Sequence, residues 1–256
     1  MPRPPDAQRP GVSLSLSNAA AVIFDMDGVI TDTAAVHRAA WKAMFDEYLS
    51  GVVRRSGQSQ RPFEDEDYLR YVDGKSRADG ARSFLISREI DLPDGREDDL
   101  PERETVWGLA NRKDLALQRV LESSGARAFP SSVALVRGLQ ERGVGTAVIS
   151  ASRNCQAILD AAGIGDLFPV TVDGRECARL GLPGKPSPAV FLEAARRLGV
   201  DPTRAVIVED AQAGVRGGRA GNFGLVIGVD RCGQAEQLFA EGADVVVTDL
   251  AELAFR

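Results

Sequence analysis

The stretch A-V-I-F-D-M-D-G-V-I-T-D-T, from Ala21 to Thr33, decides the fold of this chain. Its first four residues are apolar, which is typical of a buried parallel strand. Asp25 and Asp27 come next, at the carboxyl end of that strand, where open α/β sheets bind ligands. Two carboxylates this close repel each other, so a cation or a shared proton must compensate their charge. The stretch therefore predicts a magnesium-assisted site with one nucleophilic and one proton-transferring carboxylate.

Alternating apolar runs and amphipathic segments after Phe129 extend this strand into an α/β fold. The runs predict strands at 145–149, 168–172, 205–208, 225–229 and 245–247, and helical patterns separate several of them. Strands separated by helices imply a doubly wound parallel sheet with helices on both faces. Residues 34–122 carry helical patterns and no convincing strand, with loops expected at 51–62 and 91–102. They predict a helical cap domain inserted into a core of residues 18–33 and 123–256, after a disordered tail at 1–17.

Composition narrows the class of protein. The chain has 256 residues and a formal net charge of −6, and its lysines and arginines form no cluster with interleaved aromatics, which argues against nucleic acid as a partner. Three widely spaced cysteines predict free thiols in a reducing compartment. No apolar run approaches the ~18 residues that a membrane-spanning helix needs. We therefore expect a soluble cytoplasmic protein with no membrane partner, and nothing requires an obligate oligomer, so we expect a monomer.

Polar residues also end the later strands. Ser150 follows one strand, Glu209 and Asp210 follow another, and Lys185 lies in a G-K-P-S-P loop before a helix. If these ends share one edge of the sheet, they bring carboxylates, a lysine and a hydroxyl together. That set suits phosphoryl transfer, because oxygen ligands hold magnesium and a lysine neutralises phosphate charge. The alternatives are a turn or helix cap for the paired aspartates and a surface position for the lysine.

Along the chain these groups follow in the order Asp25–Asp27, Ser150, Lys185 and Glu209–Asp210. This order resembles the haloacid dehalogenase superfamily of phosphotransferases, and the insertion after the first strand resembles its helical-cap subclass. The resemblance runs from about Ala20 to the end and is strongest to the β-phosphoglucomutase family. The segments that carry it are T-D-T-A-A-V-H-R-A-A-W (31–41), D-G-K-S-R-A-D-G (73–80), N-R-K-D (111–114), S-A-S-R-N (150–154), G-K-P-S-P (184–188) and V-E-D-A-Q-A-G (208–214).

The resemblance implies roles for the core residues. Asp25 is the expected nucleophile that becomes an aspartyl phosphate, and Asp27 the general acid and base. Ser150 and Lys185 are expected to bind the transferring phosphoryl group. The cofactor implied is Mg²⁺, with ligands from Asp25, the backbone carbonyl of Asp27, Glu209 and Asp210.

The resemblance also implies a second phosphate site. The resemblance implies that substrate is bound at this second site and by the cap. The residues implied are Arg77, Lys113, Ser152, Arg153, Asn154, Gly74 and Trp41. Thr33 and His37 are implied at the hinge, where they could couple cap closure to the position of Asp27. Simpler interpretations stay open: His37 and Trp41 could serve packing, Arg77 could pair with Asp79, and residues 152–154 could cap a helix. Arg153 and Asp114 stand where the family usually has lysine and asparagine.

The partner implied is a small-molecule sugar phosphate. The leading hypothesis is interconversion of β-D-glucose 1-phosphate and D-glucose 6-phosphate through an aspartyl phosphate and a bisphosphate. The main alternative is a sugar-phosphate phosphatase, in which water attacks the same aspartyl phosphate. A dehalogenase would not use Asp27. A receiver-type signalling domain shares a doubly wound sheet, an acidic cluster and a lysine, but it has no need of a helical insertion.

Overall fold

The computed structural model describes residues 7–8, 19–56 and 59–253. The chain divides into two compact units. One consists of Met1–Asp32 and Ala126–Arg256, and the other of Thr33–Gly125. The predicted insertion, residues 34–122, falls within the second unit.

The first unit is built on a seven-stranded sheet. Its strands are β1 (Ala7–Gln8), β2 (Ala21–Asp25), β3 (Gly145–Ile149), β4 (Val170–Val172), β5 (Ala205–Glu209), β6 (Leu225–Val229) and β7 (Val245–Val247). Their order is β1-β7-β6-β5-β2-β3-β4. All neighbouring pairs are parallel except β1 with β7. The parallel α/β sheet predicted from the alternating pattern is confirmed.

Helices build the second unit and connect the strands of the first. In chain order they are α1 (Ala34–Ser56), α2 (Asp65–Asp67), a π-helical turn (Tyr68–Val72), α3 (Arg77–Ser87), α4 (Val106–Ser124), α5 (Pro130–Glu141), α6 (Cys155–Ala161), α7 (Gly174–Leu180), α8 (Ala189–Leu198), α9 (Gln212–Ala220) and α10 (Ala235–Glu241). The sequence patterns did not indicate α7, α9 and α10. These helices are short, and α9 contains three glycines, which weaken a helical pattern.

The central strands explain where the polar residues meet. Every residue of β2 and β5 is buried, as expected for strands covered on both faces. Asp25 pairs in register with Ile149, and Phe24 with Val208. The strand ends are therefore level, and Ser150 and Glu209 follow at the same edge as Asp25.

The second unit is helical and has its own hydrophobic cluster. Phe45, Phe63 and Phe84 are fully buried there, and the Phe45 and Phe84 ring centroids lie 4.1 Å apart. The predicted loop at 51–62 is partly wrong, because α1 continues to Ser56. The partly buried Val52 packs against the hydrophobic cluster. The polar composition of residues 51–62 does not indicate this apolar contact.

The predicted tail, residues 1–17, lies almost entirely outside the described residues. Ala7 and Gln8 are the exception, since they pair with Val246 and Val245 as an antiparallel strand. The prediction of disorder is therefore wrong for these two residues. The edge of β7 offers unpaired backbone groups, and such edges accept an additional strand whatever its side chains.

The structure describes the three cysteines and the length of the helices. Cys155, Cys177 and Cys232 are free thiols, as predicted. Among the described residues, no helix is both long enough and apolar enough to cross a bilayer.

Candidate active site

Asp25 and Lys185 form the centre of the polar cluster in the first unit. The Lys185 ammonium lies 2.5 Å from Asp25 Oδ1 and also donates to Glu209 Oε1. All three side chains are buried. Burial alone would lower the pKa of Lys185, but the charges of Asp25 and Glu209 outweigh burial and hold that pKa above its usual range. Lys185 therefore stays cationic, and its burial excludes the alternative of a surface lysine.

The carboxylates around Lys185 suit a divalent cation. Oxygen atoms of Asp25, Glu209 and Asp210 all lie within 4.8 Å of one another, and all three residues are buried. Burial raises the pKa of Glu209, and the Lys185 ammonium opposes that shift. Magnesium prefers hard oxygen ligands such as these, and a dication offsets the repulsion among them. The donor set therefore fits Mg²⁺, whereas the backbone carbonyl of Asp27 as a further ligand stays a prediction.

The hydroxyl of Ser150 connects Asp27 to the loop after β3. Ser150 Oγ lies 3.4 Å from Asp27 Oδ2, to which it donates, and accepts the Ser152 N–H at 3.0 Å. Ser152 Oγ in turn accepts the Asn154 N–H at 3.1 Å. Residues 150–154 therefore form a turn that places hydroxyls and backbone N–H groups beside the acidic pair. Such groups are suited to phosphate oxygens.

Helix α7 supports this turn, a role that the sequence did not reveal. The Gly174 N–H donates to the Ser152 carbonyl at 3.0 Å, and Arg175 Nε donates to the Arg153 carbonyl at 2.9 Å. A Cβ on Gly174 would lie 2.7 Å from the Ala151 carbonyl oxygen, so the backbones approach too closely for a larger residue. The only signal in the sequence was the length of the segment from Asp173 to Gly184, which carries Arg175 and Arg179.

Gly28 is a further site residue that sequence reasoning missed. Its φ is +82°, and a Cβ there would lie 1.8 Å from Asp210 Oδ2. Gly214 similarly leaves room for Glu209, because its Cβ would lie 1.9 Å from Oε1. Only glycine permits these close approaches. The sequence did contain a signal for Gly28, namely its position directly after Asp27.

The second unit contains a separate cationic group. Lys113 Nζ lies 3.0 Å from His37 Nδ1 and 5.3 Å from the ring centroid of Trp41. Burial, then the Lys113 charge, lower the pKa of His37, while Asp114 raises it. Trp41 is buried and its ring lies 5.2 Å from that of Phe45, which favours packing as its role. Thr33 is buried, and its carbonyl accepts the His37 N–H at 2.9 Å.

Arg77 begins α3 and pairs within the second unit. Its Nη1 lies 3.3 Å from Asp114 Oδ2, and its guanidinium lies 5.9 Å from the Trp107 ring centroid. The ion pair of Arg77 is therefore with Asp114 and not with Asp79, which instead accepts from Arg82 at 2.8 Å. Gly74 precedes α3 with φ +71°, in the turn that sets the direction of that helix.

Comparisons with known proteins agree with this geometry. The family model described as haloacid dehalogenase-like hydrolase matches residues 19–222. The chain belongs to the haloacid dehalogenase-like hydrolase family, which confirms the resemblance seen in its sequence. It is 49% identical over 237 residues to a β-phosphoglucomutase of Mycobacterium bovis, covering 91% of this chain and 90% of that protein. It is 34% identical over 236 residues to a β-phosphoglucomutase of Bacillus subtilis, covering 91% of each.

A solved structure shares the fold. The crystal structure of a β-phosphoglucomutase from Clostridium difficile aligns with a TM-score of 0.71, covering 93% of this chain and 94% of that one. Its sequence identity is 24%. This likeness establishes the architecture.

Proposed function

We propose that this protein is a Mg²⁺-dependent phosphomutase that interconverts β-D-glucose 1-phosphate and D-glucose 6-phosphate. The observation that carries the proposal is the 49% identity to a β-phosphoglucomutase over nearly the whole chain. The buried Asp25–Lys185–Glu209 cluster, with Asp27 beside Ser150, supports it with the side chains that such a transfer needs.

The proposed chemistry passes one phosphoryl group through Asp25. In the first step Asp27 takes the proton from a hydroxyl of the sugar monophosphate, and the hydroxyl oxygen attacks the phosphorus of phospho-Asp25. The bond from phosphorus to the Asp25 oxygen breaks, which gives a sugar bisphosphate that must reorient so that its other phosphate reaches Asp25. An Asp25 carboxylate oxygen then attacks that phosphorus, the bond from phosphorus to the sugar oxygen breaks, and Asp27 gives its proton to that oxygen.

Charge stabilisation comes from the groups around Asp25. Lys185 and Ser150 are proposed to bind the oxygens of the transferring phosphoryl group, since a fixed cation and a hydroxyl donor stabilise developing charge. Asp25, the Asp27 carbonyl, Glu209 and Asp210 are proposed to hold Mg²⁺. When bound, that ion would act as a Lewis acid toward the phosphoryl oxygens.

A mutase also needs a second phosphate site. The turn Ser152–Asn154 of the first unit is proposed to bind the phosphate that is not being transferred. The cations Arg77 and Lys113 of the second unit are each proposed to bind a phosphate of the substrate. Arginine suits this task because its planar fork binds two phosphate oxygens. Thr33 and His37 are proposed to act through the positions of these cations and of Asp27. Gly74 is proposed to shape the turn before Arg77, whereas the packing of Trp41 gives it an indirect role.

A phosphatase is the second candidate function. The observation that favours it is that the matching family is described as hydrolases. Both reactions pass through phospho-Asp25, and they differ in the acceptor of its phosphoryl group, which is a sugar hydroxyl in the mutase and water in the phosphatase.

The test is a coupled assay with β-D-glucose 1-phosphate, a catalytic amount of glucose 1,6-bisphosphate and Mg²⁺. Glucose 6-phosphate and free phosphate are measured in parallel. A mutase forms glucose 6-phosphate with little free phosphate. Release of free phosphate without glucose 6-phosphate would establish the phosphatase and refute the mutase.

Matched variants assign the nucleophile. Asp25→Asn is expected to lower turnover by about 10³-fold or more, because the amide oxygen cannot form the aspartyl phosphate. Asp166→Asn is the control, since Asp166 is exposed in the same unit. Retained turnover in Asp25→Asn would contradict both candidate functions.

The protein is further proposed to act as a cytoplasmic monomer. Free thiols at Cys155, Cys177 and Cys232 support a reducing compartment. Light scattering during size-exclusion chromatography measures the molar mass directly, and a mass of twice the 27.4 kDa chain would refute the monomer.

A further inference from the structure

The loop between β6 and α10, residues 230–234, lies beside two loops of the candidate active site. Strand β6 pairs with β5, which ends at Glu209, so the two following loops are neighbours at the carboxyl edge of the sheet. We call residues 230–234 the β6–α10 loop. Its side chains take no part in the chemistry proposed above.

Asp230 fixes the shape of the β6–α10 loop. Its Oδ1 accepts the N–H groups of Cys232, Gly233 and Gln234 at 3.1, 2.7 and 2.8 Å, and its Oδ2 accepts that of Ala235 at 3.2 Å. Four donors on one carboxylate leave the backbone little freedom. The loop is therefore a rigid base for the side chains that it carries.

Gln234 reaches from this base to the loop that carries Asp210. The Gln234 side chain is buried, and its Nε2 donates to the Asp210 carbonyl at 3.0 Å. Its Oε1 accepts from Gln212 Nε2 at 3.2 Å. Both ends of the amide are therefore engaged, which fixes its orientation. The Gln234 amide, a neutral donor, therefore holds the backbone carbonyl of Asp210, a candidate metal ligand.

Arg231 reaches to the other loop, the one that carries Asp27. Its Nε donates to the Gly28 carbonyl at 2.8 Å, and its Nη1 donates to the Thr248 carbonyl at 3.0 Å. The guanidinium lies 3.9 Å from the ring centroid of Phe129, so a cation–π contact also holds it. Arg231 thus fixes the carbonyl of Gly28, the residue that directly follows Asp27.

The two held loops meet at Gly28 and Asp210. A Cβ on Gly28 would overlap Asp210 Oδ2, so the Asp210 carboxylate lies against the Gly28 backbone. We infer that Arg231 and Gln234 are positioning residues, which hold the Gly28 peptide and Asp210 in the mutual arrangement that metal binding requires. The inference rests on the proposed function, because it takes Asp210 to be a Mg²⁺ ligand. Groups behind metal ligands commonly change metal affinity by about 10–100-fold when removed.

The test for Gln234 measures Mg²⁺ binding without substrate. The unfolding temperature of the full chain is followed as MgCl₂ is increased, and the half-saturating concentration is read from the shift. Gln234→Leu and the equally sized Gln234→Glu are both expected to raise that concentration by about tenfold. Gln237→Leu, on the exposed side of α10, is the control and is expected to leave it unchanged.

A merely structural role predicts a different pattern. Gln234→Leu and Gln234→Glu would then lower the unfolding temperature equally with and without Mg²⁺, and the half-saturating concentration would stay that of the wild type. That result in either folded variant would overturn the inference for Gln234.

The test for Arg231 measures amide hydrogen exchange in a peptide that covers residues 26–32. The Gly28 N–H donates to the Thr31 carbonyl, and the Thr31 N–H to the Met26 carbonyl, so these amides report the order of the loop. Arg231→Met is expected to speed their exchange by about tenfold or more. Arg231→Lys is expected to restore it only partly, because lysine lacks the guanidinium fork.

Arg216→Met is the control for Arg231, because Arg216 forms an exposed ion pair with Glu241. Unchanged exchange in Arg231→Met would overturn the inference for Arg231. Both tests are made without sugar phosphate. Absence of glucose 6-phosphate formation would therefore refute the mutase alone, whereas normal turnover with unchanged Mg²⁺ binding and exchange would refute the positioning role alone.

Discussion

The ammonium of Lys113 lies 3.0 Å from Nδ1 of His37, and both side chains belong to the helical unit. An ammonium only donates, so Nδ1 must accept and the imidazole must be neutral with its proton on Nε2. Burial and the Lys113 charge accordingly lower the pKa of His37. His37 is the only histidine of the chain, so its titration can be followed without ambiguity.

The first prediction concerns this titration. In an untagged protein, the single imidazole is expected to titrate well below 6.5 by nuclear magnetic resonance. Lys113→Met should raise the pKa of His37, because it removes a neighbouring positive charge. Asp114→Asn should lower it further, because it removes a negative one. A pKa of His37 that is the same in wild type and Lys113→Met would contradict the contact.

The same shift has a consequence for stability. Because the fold holds His37 neutral, the unfolded chain binds the extra proton once the pH falls below about 6.5. The contribution of His37 to the free energy of unfolding is therefore full above that pH and decreases as the pH falls toward the lowered pKa. The difference in stability between wild type and His37→Asn should shrink as pH falls from about 7 to about 5.

A second prediction concerns Asp114, which pairs with Arg77 at 3.3 Å. If Arg77 binds phosphate, the carboxylate competes with the substrate for the same guanidinium. Asp114→Asn is expected to lower the KM for glucose 1,6-bisphosphate by up to about fivefold, which corresponds to about 1 kcal/mol for a partly exposed pair. Steady-state kinetics measure this change. Arg77→Ala should raise the same KM, and a parallel rise in Asp114→Asn would show that Asp114 instead orients Arg77.

The third prediction concerns Lys185, which lies between Asp25 and Glu209. Lys185→Met leaves two buried carboxylates without their cation, which is expected to cost about 3–5 kcal/mol of unfolding free energy. Mg²⁺ should raise the unfolding temperature of Lys185→Met more than that of wild type, because the ion replaces the missing charge. Lys42→Met is the control, since that ammonium is exposed. An equal Mg²⁺ effect in wild type and Lys185→Met would argue against a metal at these carboxylates.

The fourth prediction separates two arginines of α7. Arg175 donates to the Arg153 carbonyl, whereas the exposed Arg179 pairs with Glu176 on the same helix. Arg175→Ala is expected to raise the KM for sugar phosphates by about three- to tenfold, with a smaller change in kcat, because the phosphate-binding turn loses one support. Arg179→Ala should leave both constants near wild type. Equal effects of the two variants would show that helix stability, and not the turn, is responsible.

Much of the fold followed from local patterns. The bounds of β3, β6 and β7 were correct from the sequence, because parallel strands that are almost entirely buried are continuous, mostly apolar runs. The helical character of residues 34–122 also followed, because their periodicity has no competing strand pattern. Helices α7 and α9 escaped notice, since short or glycine-rich helices owe their stability to packing.

The sequence by itself determined the order of the chemical groups along the chain: an acidic pair after the first central strand, then Ser150, Lys185 and Glu209–Asp210. Because the ends of the parallel strands are level, the groups that follow them lie at one edge of the sheet, whichever side chains pack around them. Tertiary structure decided which of them touch, because contacts between residues far apart in the chain depend on packing. It placed Lys185 between Asp25 and Glu209, paired Arg77 with Asp114, and joined Arg231 and Gln234 to the backbones of Gly28 and Asp210.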